Sequence, residues 1–473
     1  MIETTGMIAM KRCVLAALGF AAACSPEQSV RDLCDEGLCA PGTLTWAVRA
    51  ESVGDSTADA VAITPDEPPW FAGAYGQTLE VAERDTEHFG GWDSVGEHDA
   101  YLARTGVRRL DTQGAFMNAA YFLRVVGIVP DFEDGAILFA IGQQEDLRER
   151  FEASWIDRTG AATRRTIALL DDPGGFGGAK VTADDRGWPI VAVSGTRVDL
   201  DGVIHDGARS MIFRLGQGLA RQPLADLTGV DISDLDVDGD VVALSGTYTG
   251  APMPPEGSAP WPACADAMPC GFIAAFELGT GRFLWVQPVR SMDGALVHAV
   301  GLGGGQVVAM ASVVGFPSEP NLGVGDVPLY LITLDAAGNA GAPAVVDQTI
   351  VAGNGVVIAG RDLAVTPAGA VVVAFSFRGA VMLDVEREFQ DPDDYMGVVA
   401  ELGTDLLWKW SYEIRAQGDI GVGTVDLSTI AVRGDQVAVG GAYLGAIQLG
   451  VSVDVAQLTP AGRPNGVAIE FHR

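Results

Sequence analysis

The chain reads as an all-β protein built from repeated four-stranded units, and three observations carry that reading. Apolar residues alternate with a period of two along most of the sequence, which buries one face of a strand and leaves the other to solvent. Gly 61 in 473 residues, together with 48% hydrophobic residues, suits short strands joined by tight turns. A glycine closing the second strand of a unit recurs at Gly250, Gly315, Gly379 and Gly445, at separations of 65, 64 and 66 residues. A period of that size with four short strands per unit predicts a β-propeller.

Taken in order, residues 1–23 read as an export signal. Met10-Lys11-Arg12 supplies the positive end, Cys13 to Ala23 an apolar core too short to span a bilayer, and Ala21-Ala22-Ala23-Cys24 a small-residue cleavage site. This stretch resembles bacterial lipoprotein precursors, with Ala21 where those carry a Leu. The resemblance implies acylation of Cys24 as the lipid anchor, and Ser25 after it implies an outer-membrane destination, facing periplasm or cell surface. Residues 24–42 form a polar tether. Setting Cys13 and Cys24 aside leaves two local cysteine pairs, Cys34 with Cys39 and Cys264 with Cys270, expected as disulfides of an exported protein.

The propeller occupies 43–473 and divides into seven units. Ala274 to Trp285 and Val399 to Trp408 share Glu-Leu-Gly-Thr and a following Trp, and read as third strand, turn and fourth strand. That alignment makes Trp285 and Trp408 equivalent packing residues, together with Trp46. Unit two, about 111 to 160, has irregular turns and a segment, Glu145 to Arg150, that also reads as helix. Long variable loops separate second and third strands; those at Ala251 to Cys270 and Glu386 to Asp394 are Pro-rich and acidic. The chain starts on a fourth strand, Thr43 to Arg49, and ends on a third, Asn465 to Phe471, so pairing of the two ends is expected to complete the last unit.

Tyr330 to Asn339 and Arg361 to Gly379 resemble the bead-like surface propeller repeats of bacteria. Ala275, Glu277, Thr280, Gly281, Arg282 and Trp285 resemble the Trp-docking repeats of quinoprotein-like propellers. The first resemblance implies a binding or scaffold module and the second a quinone-dependent dehydrogenase. A third likeness, to propeller lipoproteins that assist outer-membrane protein assembly, rests on anchor and repeats together.

The net charge of −32, with Lys only at 11, 180 and 409, repels phosphate backbones and excludes nucleic acid as a partner. Asp234, Asp236 and Asp238 alternate before a glycine, as in calcium loops, although Ser245 stands where such a loop carries its bidentate Glu. The same segment also reads as a strand entering a solvated acidic turn. The five histidines fall in different units without metal-like spacing, and no nucleophile elbow occurs. Trp92 and Trp261, in long loops, are the candidates for contact with a protein or carbohydrate ligand. The expectation is therefore a monomeric, envelope-anchored, non-catalytic propeller that uses no cofactor, with calcium as the one candidate ion and the lipid as the only membrane contact.

Overall fold

The computed structural model describes residues 39–473, except 53, 65–68, 77, 84–87, 94–97, 106–109, 114–117, 120–121, 132–134, 144–147, 157–161, 171–177, 265–268, 290–294, 314–328, 346–350, 353–356, 385–386, 418–422, 450–452 and 455–463. The export signal, Cys24 and Cys34 lie outside the described residues. The rest is a β-propeller, and the one helical turn described is Gln217–Leu219.

The strands form antiparallel meanders of four. Unit one runs Ala60–Ala62, Trp70–Tyr75, His98–Thr105 and Leu110–Gln113. Unit two runs Phe122–Asp131, Gly135–Gln143, Glu149–Ile156 and Ala162–Leu170, a complete meander in which the ambiguous segment from Glu149 onward is strand. Unit three runs Gly178–Ala183, Pro189–Leu200, Val203–Leu215 and Arg221–Thr228, and unit four Val230–Asp238, Val241–Tyr248, Cys270–Glu277 and Phe283–Val289. Unit five runs Ala295–Gly303, Gln306–Val313, Leu329–Asp335 and Ala340–Val345, and unit six Val357–Val365, Val371–Asp384, Arg387–Leu402 and Trp408–Gln417. In unit seven Thr424–Arg433, Gln436–Leu444 and Asn465–His472 are followed by the N-terminal strand Thr43–Ser52.

The terminal strands therefore close the last unit, in the register Thr43↔His472 to Ala50↔Gly466. The Gly42 N–H donates to the His472 carbonyl at 2.7 Å. Arg473 then reaches back to unit six, where its Nε donates to Glu401 Oε2 at 2.9 Å, the oxygen that also accepts the Trp410 indole N–H at 2.8 Å.

Each first strand packs against the first strand of the next unit, and the circuit ends where Thr424–Arg433 meets Ala60–Ala62. The hydrophobic core follows the same circuit. It lies between neighbouring units because each sheet buries both faces, one against the unit before and one against the unit after. Leu235 and Phe272 of unit four pack on Ile190 and Ile212 of unit three, whereas Ala243 and Ile273 face Val297 and Ala309 of unit five. The junction across the chain ends is built the same way: Val48, Ala438 and Ala468 of unit seven meet Val61, Phe71 and Tyr101 of unit one.

The tight turns share one chemistry. In Asp184–Trp188 and Asp335–Asn339 the first carboxylate accepts two backbone N–H groups of the turn, and in Thr366–Ala370 a hydroxyl accepts one. Gly338 takes φ +78, and its open α-carbon lets the Trp285 ring close on the turn from unit four, with the indole N–H donating to the Ala336 carbonyl at 3.0 Å. The expected equivalence of Trp408 does not hold. Trp408 lies half-buried against the core between units five and six, and it is Trp410 that packs under Gly42 at the next unit's corresponding corner. The turn after Glu401 has a different length from that after Glu277, so counting from the shared Glu-Leu-Gly-Thr misplaces the ring.

Several presumed loops are hairpins. Arg387–Leu402 runs as strand through the acidic segment expected as loop at Glu386 to Asp394. Thr78–Glu83 pairs with the N-terminal strand and carries His88–Asp93 outside it. Ala446–Leu449 pairs with Ile414–Gln417, and Val198 and Asp199 pair with Leu170 and Leu169. In the last three cases a second-to-third connection covers part of the preceding unit's outer edge, which removes open backbone groups that invite aggregation.

Deletion of Asn465–Arg473 is expected to remove the third strand of unit seven, expose Val467, Ile469 and Phe471 partners, and cost several kcal/mol, at roughly 1.5–3 kcal/mol per large side chain. A truncated protein melting at the wild-type temperature contradicts the closure. Gly338→Ala would place a Cβ 2.4 Å from the Trp285 ring at positive φ; a loss of about 1–3 kcal/mol in denaturant unfolding is the expected outcome.

Candidate functional site

The first strands of the units surround the axis of the ring, and each has a strand neighbour on one side only. Its backbone N–H groups on the axial side need acceptors from elsewhere. Four aspartates supply them across unit boundaries. Asp234 Oδ2 accepts from the Val300 N–H at 2.9 Å, and Asp236 Oδ2 from Leu302 at 2.7 Å. Asp362 Oδ2 accepts from Ile430 at 2.8 Å and Asp59 Oδ2 from Val125 at 3.3 Å. The second oxygen of Asp236 takes the Val237 N–H of its own strand, as Asp362 takes Leu363, so each carboxylate clips two chains together.

Local irregularity positions these clips. The register of first and second strands shifts at Ser233, His298, Arg361 and Ser428, in units four to seven. Such a bulge re-aims the side chains that follow it, and Asp234 and Asp362 come directly after theirs. Two buried serines act alongside: Ser194 Oγ accepts from Ile232 at 3.2 Å and Ser376 Oγ from Leu427 at 3.0 Å, one residue before the bulge in each next unit.

The axial aspartates are a charged set in a poorly hydrated place. Loss of hydration pushes Asp59 up to about 6, against the hydrogen bonds from Thr57 and Val125 and the nearby Arg124, with Asp426 adding to the rise. Asp236 is pushed up to about 7 by the same loss of water, with its backbone hydrogen bonds opposing and Asp234 and Asp238 reinforcing. Asp234 and Asp362 are also raised, chiefly by dehydration; the Asp234 charge raises Asp362 further, whereas the Lys180 charge favours the ionised form of both and opposes the rise.

Of the three aspartates singled out as calcium ligands, the structure separates the outermost from the other two. Asp238 is exposed at the turn, whereas Asp234 and Asp236 are half-buried and bonded to backbone N–H groups of unit five. Among the described residues no group of three or more His, Cys, Asp or Glu is disposed to hold a metal ion. Two of the histidines have partners of their own: His205 Nδ1 lies 3.2 Å from Arg209, and His298 Nε2 lies 2.7 Å from Ser312 Oγ. Asp99 is buried at the head of the third strand of unit one.

Trp261 is corrected from ligand contact to core residue. The Pro-rich segment folds back over unit four, where Ala259 N–H donates to the Phe283 carbonyl and Phe283 N–H to Ser258 Oγ. This strap drops the Trp261 ring among Phe272, Tyr248 and Phe283, at centroid distances of 4.9, 5.2 and 5.6 Å, leaving it 6% exposed. The predicted Cys264–Cys270 disulfide closes the strap's end. Cys39 is disulfide-bonded as well, and Cys34 lies outside the described residues. Trp92 sits on the strand His88–Asp93, and its side chain lies outside the described residues.

Asp59, Asp362 and Lys180 are the axial residues that sequence reasoning missed. Aligning the units on their first strands, and not on the glycine of the second, would have set Asp234 and Asp362 at one position.

No protein-family model and no curated protein matches the chain. Among solved structures it is similar to TolB from Acinetobacter baumannii, at 10% identity and a TM-score of 0.36, covering 81% of this chain and 66% of that one. An ulvan lyase of polysaccharide lyase family PL25 gives 10% identity and a TM-score of 0.38 over 67% of this chain and 81% of that one. A subtype N11 neuraminidase-like protein from a flat-faced bat isolate gives 10% and 0.35 over 92% and 95%.

Trp261→Ala is expected to lower stability by about 3–5 kcal/mol, since it empties an aromatic cluster. Reduction of Cys264–Cys270 is expected to cost less, because the ring it closes is short. Denaturant unfolding of both, compared with wild type, checks the order.

Proposed function

We propose that the chain is an exported β-propeller that binds or scaffolds other envelope components without catalysing a reaction, held at a bacterial outer membrane by lipid on Cys24. The observation that carries this reading is the use made of the axial carboxylates. The acidic side chains closest to a reaction centre in kind are bonded to backbone N–H groups and hold the units together. The remaining elaboration is in the second-to-third connections, which extend as hairpins and a strap. Their end of the propeller lies opposite the tight-turn end, where Thr43 pairs with His472 and the tether of residues 24–42 would enter. That arrangement offers a variable face to a protein or carbohydrate ligand and leaves the plainer face toward the anchor.

Labelled fatty acid supplied to cells expressing the full chain is expected to enter the wild-type protein and not Cys24→Ala, which should stay unprocessed or leave the membrane fraction. Absence of label from the wild type contradicts the anchor. Purified protein incubated with quinone, calcium and an alcohol is expected to reduce no dye; sustained reduction contradicts the non-catalytic reading.

A further inference from the structure

Asp and Glu outnumber Lys and Arg by 62 to 30, so a surface arginine of this chain has carboxylates in plenty to pair with. Those around units two and three do pair: Arg150 with Glu152, Arg209 with Asp226, Arg214 with Asp184 and Arg221 with Asp201. Arg164 and Arg165, adjacent on the outer strand Ala162–Leu170 of unit two, have no carboxylate partner among the described residues. Trp155 stands beside them, 38% exposed, and is the one aromatic side chain among the exposed large apolar residues described. We propose that this edge is a binding site for an acidic saccharide, whose ring stacks on Trp155 and whose carboxylate pairs with Arg165.

The strand register assembles the site. Trp155 is paired directly with Thr163, Ser154 with Arg164 and Ala153 with Arg165. Directly opposed residues share a face, so Trp155, Thr163 and Arg165 lie on one side of the sheet, with Arg165 diagonal to the indole and within its reach. That side looks toward unit three, because Phe151 and Ala153 of the same row belong to the core between the two units. Trp155 follows them in the row where the core ends. Arg165 crosses the junction, and its Nη1 donates to the Gly218 carbonyl at 2.9 Å, which holds the guanidinium at the rim and leaves its other donors for a ligand. Gln217 and Gly218 are exposed, and nothing lies within 4 Å of the place a Gly218 Cβ would take, so the backbone there is open to approach.

An indole offers a flat apolar face to the C–H side of a pyranose ring, and a guanidinium fork matches a carboxylate with two parallel hydrogen bonds. Thr163 and Gln217 supply donors and acceptors for hydroxyls. Arg164, exposed on the opposite side of the strand, adds a second positive charge to the edge. The net charge of −32 does not forbid an anion here, since charges farther than about 8 Å are largely screened at physiological salt. Glu152, the carboxylate across the strand, is engaged by Arg150 and by the Thr166 hydroxyl. The site lies apart from the variable face and needs no lipid on Cys24, so its failure would leave the anchored reading as it stands.

The test is calorimetric titration of the purified protein at physiological salt with short oligomers of galacturonate and of glucuronate, and with neutral galactose oligomers for comparison. Wild type is expected to bind at least one uronate series saturably and the neutral series about tenfold more weakly or worse. Trp155→Ala and Arg165→Gln should each weaken uronate binding about tenfold. Arg165→Lys, which keeps the charge and loses the fork, should fall between wild type and Arg165→Gln. Arg282→Gln, at the corresponding turn of unit four, should bind as wild type. Absence of saturable binding to both uronate series overturns the proposal, as does equal affinity for the neutral series or an affinity that Trp155→Ala or Arg165→Gln leaves unchanged. Melting curves establish that each variant is folded; should Trp155→Ala fail to fold, the two Arg165 variants decide.

Discussion

An innermost strand with a partner on one side only leaves a row of backbone donors facing the axis, and the rest of the structure depends on how that row is satisfied. The next strand of the sheet is absent there, and a neighbouring unit supplies the acceptors. Short carboxylate side chains fit, because an aspartate one residue past a bulge projects toward the adjoining strand and its two oxygens serve both chains. Satisfying the edge and joining the units become one act. That is why the acidic residues of the axis are structural, and why their electrostatic cost is stored in the ring itself.

Closure follows from the same logic at larger scale. A core that lies between units cannot be completed at an open end, since the last sheet would leave an apolar face uncovered. Pairing Thr43–Ser52 with Asn465–His472 turns two chain ends into one unit, and the junction of Ala438 and Ala468 with Phe71 and Tyr101 completes the circuit. Arg473 adds a charged bond to Glu401 and so ties the end of the chain to the preceding unit as well.

Much of this was legible in the sequence, and the boundary of legibility has a physical basis. Turns and strand ends are local: glycine at positive φ and Asp or Thr bonding its own turn are visible within five residues, as at Asp335–Asn339 and Thr366–Ala370. End pairing was legible because a half-unit at each terminus has only one complement. The role of Asp234 was not, because its partner Val300 lies 66 residues away and contributes backbone, which no side-chain pattern reports. Trp261 misled for a related reason. A Pro-rich segment between strands looks like a solvent loop, and only the return hydrogen bonds to Ser258 and Phe283 show that it is a strap over the core. In the same way the acidic stretch after Glu386 breaks strand propensity yet continues as strand, because its partner Gly379–Asp384 continues opposite it.

The amides of Val300, Leu302 and Ile430 report most directly on the bonds between units. Hydrogen exchange of these groups in the folded protein is expected to be slow, as for amides inside a sheet, and to accelerate selectively when the facing Asp234, Asp236 or Asp362 is changed to Ala. Rapid exchange at all three in the wild type, or exchange indifferent to those substitutions, would contradict those bonds.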